Sequence, residues 1–195
     1  MVARINAIHD RVHGRLPESA GAFAAGTAYS AHDPALLAWV HATLLEMNLR
    51  VYELFVGSLR AEDKDRYCAE ASAIEVPLGI PAGRLPRSFG ELGRHMDAML
   101  SSATITVTDN ARMLARDVLF PPAPRLAAPV LSLVRLQTVG LLPPRIREEY
   151  GLPWSTRRER LLGVSTGLAR TLLRVTPPIV RHWPAARRAQ RRLAR

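Results

Sequence analysis

Three histidines lie on segments whose apolar residues recur at helical spacing. His9 and His13 are four residues apart in Ile5-Asn-Ala-Ile-His-Asp-Arg-Val-His-Gly14, which predicts that both lie on one side of a helix over residues 2–13. His41 is surrounded by Trp39, Val40, Leu44 and Leu45 in a second apolar segment. Neutral imidazole on a helix is a common ligand of haem iron, and apolar neighbours would line a porphyrin. The pattern therefore indicates His9, His13 and His41 as cofactor-binding candidates, against the alternative that each is a hydrogen-bonded core or surface histidine.

The sequence offers little support for other chemistries. A zinc protease motif needs a glutamate between its two histidines, and none separates His9 from His13. A di-iron bundle needs two Glu-x-x-His units, whereas Asp10-x-x-His13 is a single approximation of one. Ser30, Ser102 and Cys68 are potential nucleophiles, but the chain contains no Gly-x-Ser-x-Gly elbow. No catalytic residue is therefore identified from the sequence.

Helices are the elements that must position these histidines. Asp33 is a suitable N-cap and Pro34 suits the first position of a helix that extends to about Gly57 and is apolar enough to be central. Residues 15–32 are predicted as a loop. The other predicted helices cover residues 2–13, 61–75, 88–101, 109–119, 129–139, 144–150 and 156–175. The predicted fold class is all-α, a bundle of roughly seven to nine helices without a significant sheet.

The positive charge is concentrated at the carboxyl end. Of the net charge of +10 over 195 residues, all lies in residues 155–195, which contain eleven arginines and one glutamate. We therefore divide the chain into a neutral helical core, residues 1–154, and basic amphipathic helices, residues 155–195, packed on or trailing from the same domain. The preference for arginine over lysine indicates a GC-rich bacterial genome.

The basic helix over residues 156–175 carries an apolar stripe, Leu161, Leu162, Leu168, Leu172, Leu173 and Val175. We expect this stripe to lie on the protein's own core more readily than on a membrane. The arginine-rich tail that follows is a candidate for peripheral contact with anionic lipid. Specific nucleic-acid binding is not expected, because no aromatic residues interleave the arginines.

The single cysteine, Cys68, excludes an intramolecular disulfide and a cysteine-based metal site. The first residues lack the hydrophobic region of a signal peptide, and no run reaches the roughly 18–20 apolar residues of a transmembrane helix. The expected location is the cytoplasm, with peripheral membrane contact through the tail.

Several blocks together resemble the MpaB-type oxygenase family, which includes the latex-clearing rubber oxygenases. The most specific are Tyr-Ser-Ala-His-Asp-Pro-Ala-Leu-Leu-Ala-Trp-Val-His-Ala-Thr-Leu (29–44) and Ile-His-Asp-Arg-Val-His-Gly (8–14). Further blocks are Leu-Gly-Ile-Pro (78–81), Leu-Pro-Arg-Ser (85–88), Ala-Arg-Met-Leu-Ala-Arg (111–116) and Leu-Leu-Pro-Pro-Arg-Ile-Arg-Glu-Glu-Tyr-Gly-Leu-Pro-Trp (141–154). The resemblance extends over nearly the whole chain.

This resemblance implies a haem b oxidoreductase that uses dioxygen on an apolar substrate such as an isoprenoid. It makes His9 the expected axial ligand of the iron and His41 the second choice. Relatives carry a helical segment with an arginine and a threonine ahead of this histidine, and only eight residues precede His9 here. We therefore expect this chain to lack the segment that its relatives carry. It leaves open a non-catalytic helical protein that binds a lipid-like ligand or an anionic surface.

Overall fold

Helices dominate the computed structural model, which describes residues 2–177 and confirms the all-α fold class. Two short 3-10 turns, Ser72–Ile74 and Arg125–Ala127, precede α4 and α7. A pair of three-residue strands, β1 (His13–Arg15) and β2 (Ala28–Ser30), is the sheet within this part of the chain. The helices are α1 (Val2–His9), α2 (Pro34–Phe55), α3 (Ala61–Ala71), α4 (Glu75–Leu78), α5 (Phe89–Ser101), α6 (Asp109–Leu119), α7 (Ala128–Leu141), α8 (Pro144–Glu149) and α9 (Thr156–Val175).

Side-chain caps set the start of four helices, α2, α5, α6 and α9. The Asp33 carboxylate accepts hydrogen bonds from the backbone N–H groups of Ala35 and Leu36 at 2.7 and 3.1 Å, and Pro34 occupies the first position of α2. The side chains of Ser88, Thr108 and Ser155 cap α5, α6 and α9 in the same manner. These contacts satisfy backbone donors that have no partner inside the helix, so the helix starts follow from the sequence.

The amino-terminal region differs from its prediction. The first helix ends at His9, and two tight turns follow, in which Arg11 N donates to Ile8 O and Val12 N donates to His9 O. The chain then enters β1, which pairs antiparallel with β2 in the register His13 to Ser30. The predicted helix over residues 2–13 and the predicted loop over residues 15–32 are therefore each partly wrong, because strand pairing across the loop replaces the last helical turn.

The core is built around α2, which contacts α3, α5 and α9. One buried cluster joins α2 to α3 and α5 and contains Ala42, Leu45, Leu49, Cys68, Leu92 and Met96. A second cluster joins the beginning of α2 to the segment after α4 and contains Leu37, Ala38, Ile80 and Leu85. Burial of apolar area in these two clusters is the main stabilising contribution, and it places one side of α2 in the interior.

Helix α9 packs on α2 and α7 with only one of its sides. Of the stripe predicted to lie on the core, Leu162 and Leu173 are half-buried, but Leu161, Leu168, Leu172 and Val175 are exposed. The expectation that the whole stripe faces the core is therefore wrong for these four residues. The arginine-rich tail over residues 178–195 lies outside the described residues. Among the helices of residues 2–177, none combines the length and the hydrophobicity that a bilayer crossing requires.

Candidate functional site

His41 lies on the interior side of α2, next to buried Ala42 and one turn from buried Ala38 and Leu45. Burial lowers the pKa of the imidazole below its usual value, and this effect outweighs the backbone carbonyl of Ala71 and the charge of Glu75, which both raise the pKa. The ring is therefore neutral near pH 7. Its Nε2 atom is buried and has no hydrogen-bond partner among the described residues. A neutral imidazole whose buried nitrogen is bonded to no described residue is available to a ligand.

Glu75 is a buried charge close to this histidine, with 3% of its surface exposed. Its carboxylate accepts hydrogen bonds from the backbone N–H groups of Leu85 and Gly83 at 2.6 and 2.9 Å, and from Nη2 of Arg87 at 3.3 Å. Burial by itself raises the pKa of Glu75, but the N–H donors and the Arg87 charge together hold it below its usual value. The ionised carboxylate thus holds the segment after α4 by hydrogen bonds, and its charge acts on His41.

His9 ends α1 and is half-buried, and its Nδ1 atom is buried without a partner among residues 2–177. Its ring meets the ring of His32 edge to face, with 5.7 Å between centroids. Nε2 of His32 lies 2.7 Å from Oδ1 of Asp10, and both side chains of this pair are largely exposed. The structure therefore places a second imidazole and a carboxylate beside His9. Sequence reasoning missed His32, although its position directly before the capping Asp33 was a signal of a fixed location.

His13 does not join this group in the way the spacing predicted. It lies on β1 and is exposed, whereas His9 lies on α1, so the two do not share a helix face. The prediction of a helical His9/His13 pair is wrong, because α1 ends before His13 is reached. Within residues 2–177, no three or more histidine, cysteine or acidic side chains are grouped closely enough to hold a metal ion.

His95 on α5 is a further histidine that the sequence did not single out. Its Nε2 atom is buried without a partner among the described residues, and its ring lies 6.3 Å from the ring of Trp39, between centroids. It directly precedes buried Met96 in the core-facing part of α5. Gly90, Glu91, Gly93 and Arg94 leave few apolar residues before His95, so this position has little apolar surrounding in the sequence.

An apolar cleft of about 370 Å³ opens where the β1–β2 region meets α2 and the end of α5. Trp39 lines it and also contacts His95, so the cleft adjoins the histidine-bearing side of the bundle. No histidine lines this cleft or the three other main clefts of residues 2–177. The apolar side chains of its wall are Leu16, Phe23, Tyr29, Leu36, Met99 and Ile105.

Comparison with protein families gives one match. The family model described as "ER-bound oxygenase mpaB/B'/Rubber oxygenase, catalytic domain" matches residues 1–176. Neither the curated proteins nor the solved structures contain a significant match to the chain. The match covers all the described helices and agrees with the resemblance that the histidine-containing blocks carry.

Proposed function

Since the chain belongs to the mpaB/rubber oxygenase catalytic-domain family, we propose that it is a haem-dependent oxygenase that acts on an apolar substrate. The match over residues 1–176 is the observation that carries the oxygenase assignment. We also propose the haem and the class of substrate, and the histidines and the apolar cleft described above support these two proposals.

Two histidine side chains offer nitrogen donors for a haem iron. His9 and His41 each have one buried ring nitrogen without a partner in the part of the chain that the structure describes, and such nitrogens are costly to bury unless something binds them. His9 would hold the haem iron, as the resemblance implies, and His41 is the second choice. A neutral His41 ring carries one nitrogen lone pair that can bind a metal ion. Because no histidine of residues 2–177 lines a main cleft, a porphyrin at either ring would require the surrounding side chains to move apart.

Bound haem would supply the iron centre that activates dioxygen. The protein's own part is to hold the substrate and to exclude water. The cleft beside Trp39 has a largely apolar wall, with Phe23 and Tyr29 among its aromatic members. Such a wall favours an unsaturated hydrocarbon chain over a polar substrate, because only apolar groups gain by leaving water there. The Asp33 carboxylate on the same wall is already occupied by the helix cap.

Haem titration of the purified full-length protein tests the ligand assignment. We expect a Soret band that His9→Ala abolishes and that His13→Ala, a matched change at an exposed histidine, leaves in place. Loss of the band in His41→Ala with retention in His9→Ala would make His41 the residue that holds the iron. A wild-type protein that gives no Soret shift with excess haem contradicts the haem proposal.

One observation favours a second function, a non-catalytic binding protein for lipid-like ligands: the apolar cleft is open while no histidine reaches its wall. The two functions differ in oxygen consumption. The oxygenase consumes dioxygen and forms carbonyl products from squalene when haem is bound. A binding protein takes up an apolar fluorescent probe in the cleft and consumes no oxygen with or without haem. Trp39→Ala weakens its binding of the probe.

A further inference from the structure

The outward side of α9 presents a row of aliphatic side chains to solvent. They are spaced three or four residues apart, and each is between 48% and 73% exposed. At about 1.5 Å per residue, the row extends for about 21 Å along one side of the helix. We call it the α9 stripe, and it consists of Leu161, Val164, Leu168, Leu172 and Val175.

A different side of α9 attaches the helix to the rest of the protein. Leu162 packs against α7 near Gly140, and Thr166 is buried with its hydroxyl bonded to the Leu162 carbonyl. The guanidinium of Arg170 donates to the carbonyls of Leu54 and Glu53 at the end of α2. These three residues are four apart and form the inner side. The α9 stripe is therefore a second apolar side, and the packing of the described residues leaves it uncovered.

The stripe continues onto the neighbouring helix. Leu161 and Leu133 line one cleft of about 540 Å³ between α9 and α7, and both are about half exposed. Val130 and Val134 extend the exposed apolar area along α7. Contiguous apolar area on two helices is larger than the scattered single residues of an ordinary protein surface, and it indicates an interaction site.

The charge around the stripe is positive. Arg157, Arg160 and Arg174 on α9 are exposed and make no ion pair within residues 2–177. Glu159 is the only acidic residue from residue 155 onwards, and its carboxylate accepts a hydrogen bond from the Trp154 indole at 2.6 Å. The sequence after residue 177 adds six arginines and no acidic residue. A second copy of this chain would bring the same positive charge to the interface, whereas an anionic surface neutralises it.

We propose that the α9 stripe and its arginines form the docking surface for an anionic lipid bilayer. The aliphatic side chains enter the boundary between headgroups and acyl chains, and the arginines contact lipid phosphates. The helix lies in the plane of the surface, since its inner side stays attached to α2 and α7. This proposal concerns the apoprotein surface and does not depend on the oxygenase activity.

Co-sedimentation of the full-length apoprotein with lipid vesicles tests the proposal. We expect binding to phosphatidylcholine vesicles that contain phosphatidylglycerol, weak binding to phosphatidylcholine alone, and a decline with added salt. The double change Leu168→Gln and Leu172→Gln should lower the partition coefficient about tenfold or more, because both side chains lose their apolar insertion. Glutamine keeps a helix propensity similar to that of leucine, so α9 should stay formed.

The double change Val40→Gln and Leu44→Gln on α2 is the matched control. These residues are also four apart on a helix and are 47% and 55% exposed, against 59% and 54% for Leu168 and Leu172. The control should bind vesicles as the wild type does, and circular dichroism should show both variants folded. Equal binding by the stripe variant and the control would overturn the proposal, because arginine adsorption alone would then account for it. A wild-type dimer that the stripe changes dissociate, without vesicle binding, would overturn it in favour of self-association.

Discussion

Replacement of Glu75 by glutamine tests whether the buried carboxylate holds the segment after α4 in place. The carboxylate now accepts hydrogen bonds from the backbone N–H groups of Leu85 and Gly83. In the glutamine variant, the amide nitrogen would face one of these N–H groups and could not accept its hydrogen bond. One buried N–H without a partner costs about 1–3 kcal/mol, and the remaining bond loses its charge assistance, about 1 kcal/mol more. Arg87 is 55% exposed, so its loss adds about 0–1 kcal/mol. Relief from burying a charge offsets part of this, and we expect a net decrease of about 2 kcal/mol in the free energy of unfolding.

The effect should depend on pH with a defined sign. The pKa of Glu75 is lower in the folded protein than its usual value, so the folded state favours the ionised carboxylate. This stabilisation is fully present above the pKa of the unfolded chain, about 4.3, and is lost as the pH falls through the lower folded value. The difference between the wild type and Glu75→Gln should therefore shrink in acid.

Urea unfolding followed by circular dichroism measures this difference from pH 7 down to about pH 3.5. Glu18→Gln is the control, because Glu18 is exposed in the region between β1 and β2 and should give no effect. A decrease below about 0.5 kcal/mol for Glu75→Gln at pH 7 would refute the reasoning. A difference that stays constant into acid would show that the charge of the carboxylate is not what matters.

Four further outcomes are expected. Burial lowers the pKa of His41, so the wild type should lose stability as the pH falls below 6.5, because the unfolded chain then binds an extra proton. Urea unfolding at pH 7 and below should show that His41→Gln lacks this dependence of the unfolding free energy on pH. An unchanged dependence would contradict the assignment. Burial and nearby acidic groups raise the pKa of the Cys68 thiol, so a thiol reagent should label it only after unfolding, with rapid labelling of native protein as the contrary result. Gly140→Ala should destabilise the protein by about 1–3 kcal/mol, because its methyl group would lie 2.6 Å from Leu162. Gly163→Ala, which meets nothing within 4 Å, should instead raise the thermal midpoint.

Local sequence features determined the helices that begin with a strong cap. Asp33-Pro34, Thr108 and Ser155 each bond to backbone donors within three residues, so α2, α6 and α9 begin where the sequence predicts. Caps act over such short distances that distant residues have little influence on them. The prediction was wrong at the end of α1, where a strand about fifteen residues away in sequence competes with the last helical turn. Pairing over that distance leaves no local mark.

The importance of individual histidines was decided by tertiary structure. The sequence placed His9 and His41 on apolar helices, but their unpartnered nitrogens depend on neighbours distant in the chain, such as Ala71 beside His41. The spacing that placed His13 beside His9 applies only within a continuous helix, but α1 ends at His9.

The two apolar sides of α9 also separate what the sequence determined from what the tertiary structure decided. Its sequence alone determined an amphipathic, arginine-rich helix, because helical spacing and charge are properties of the chain. Only the packing of Leu162 and Arg170 against α7 and α2 decided which apolar side is buried and left Leu168 and its row exposed. Burial is a relation between elements far apart in sequence, so the helix alone could not specify it.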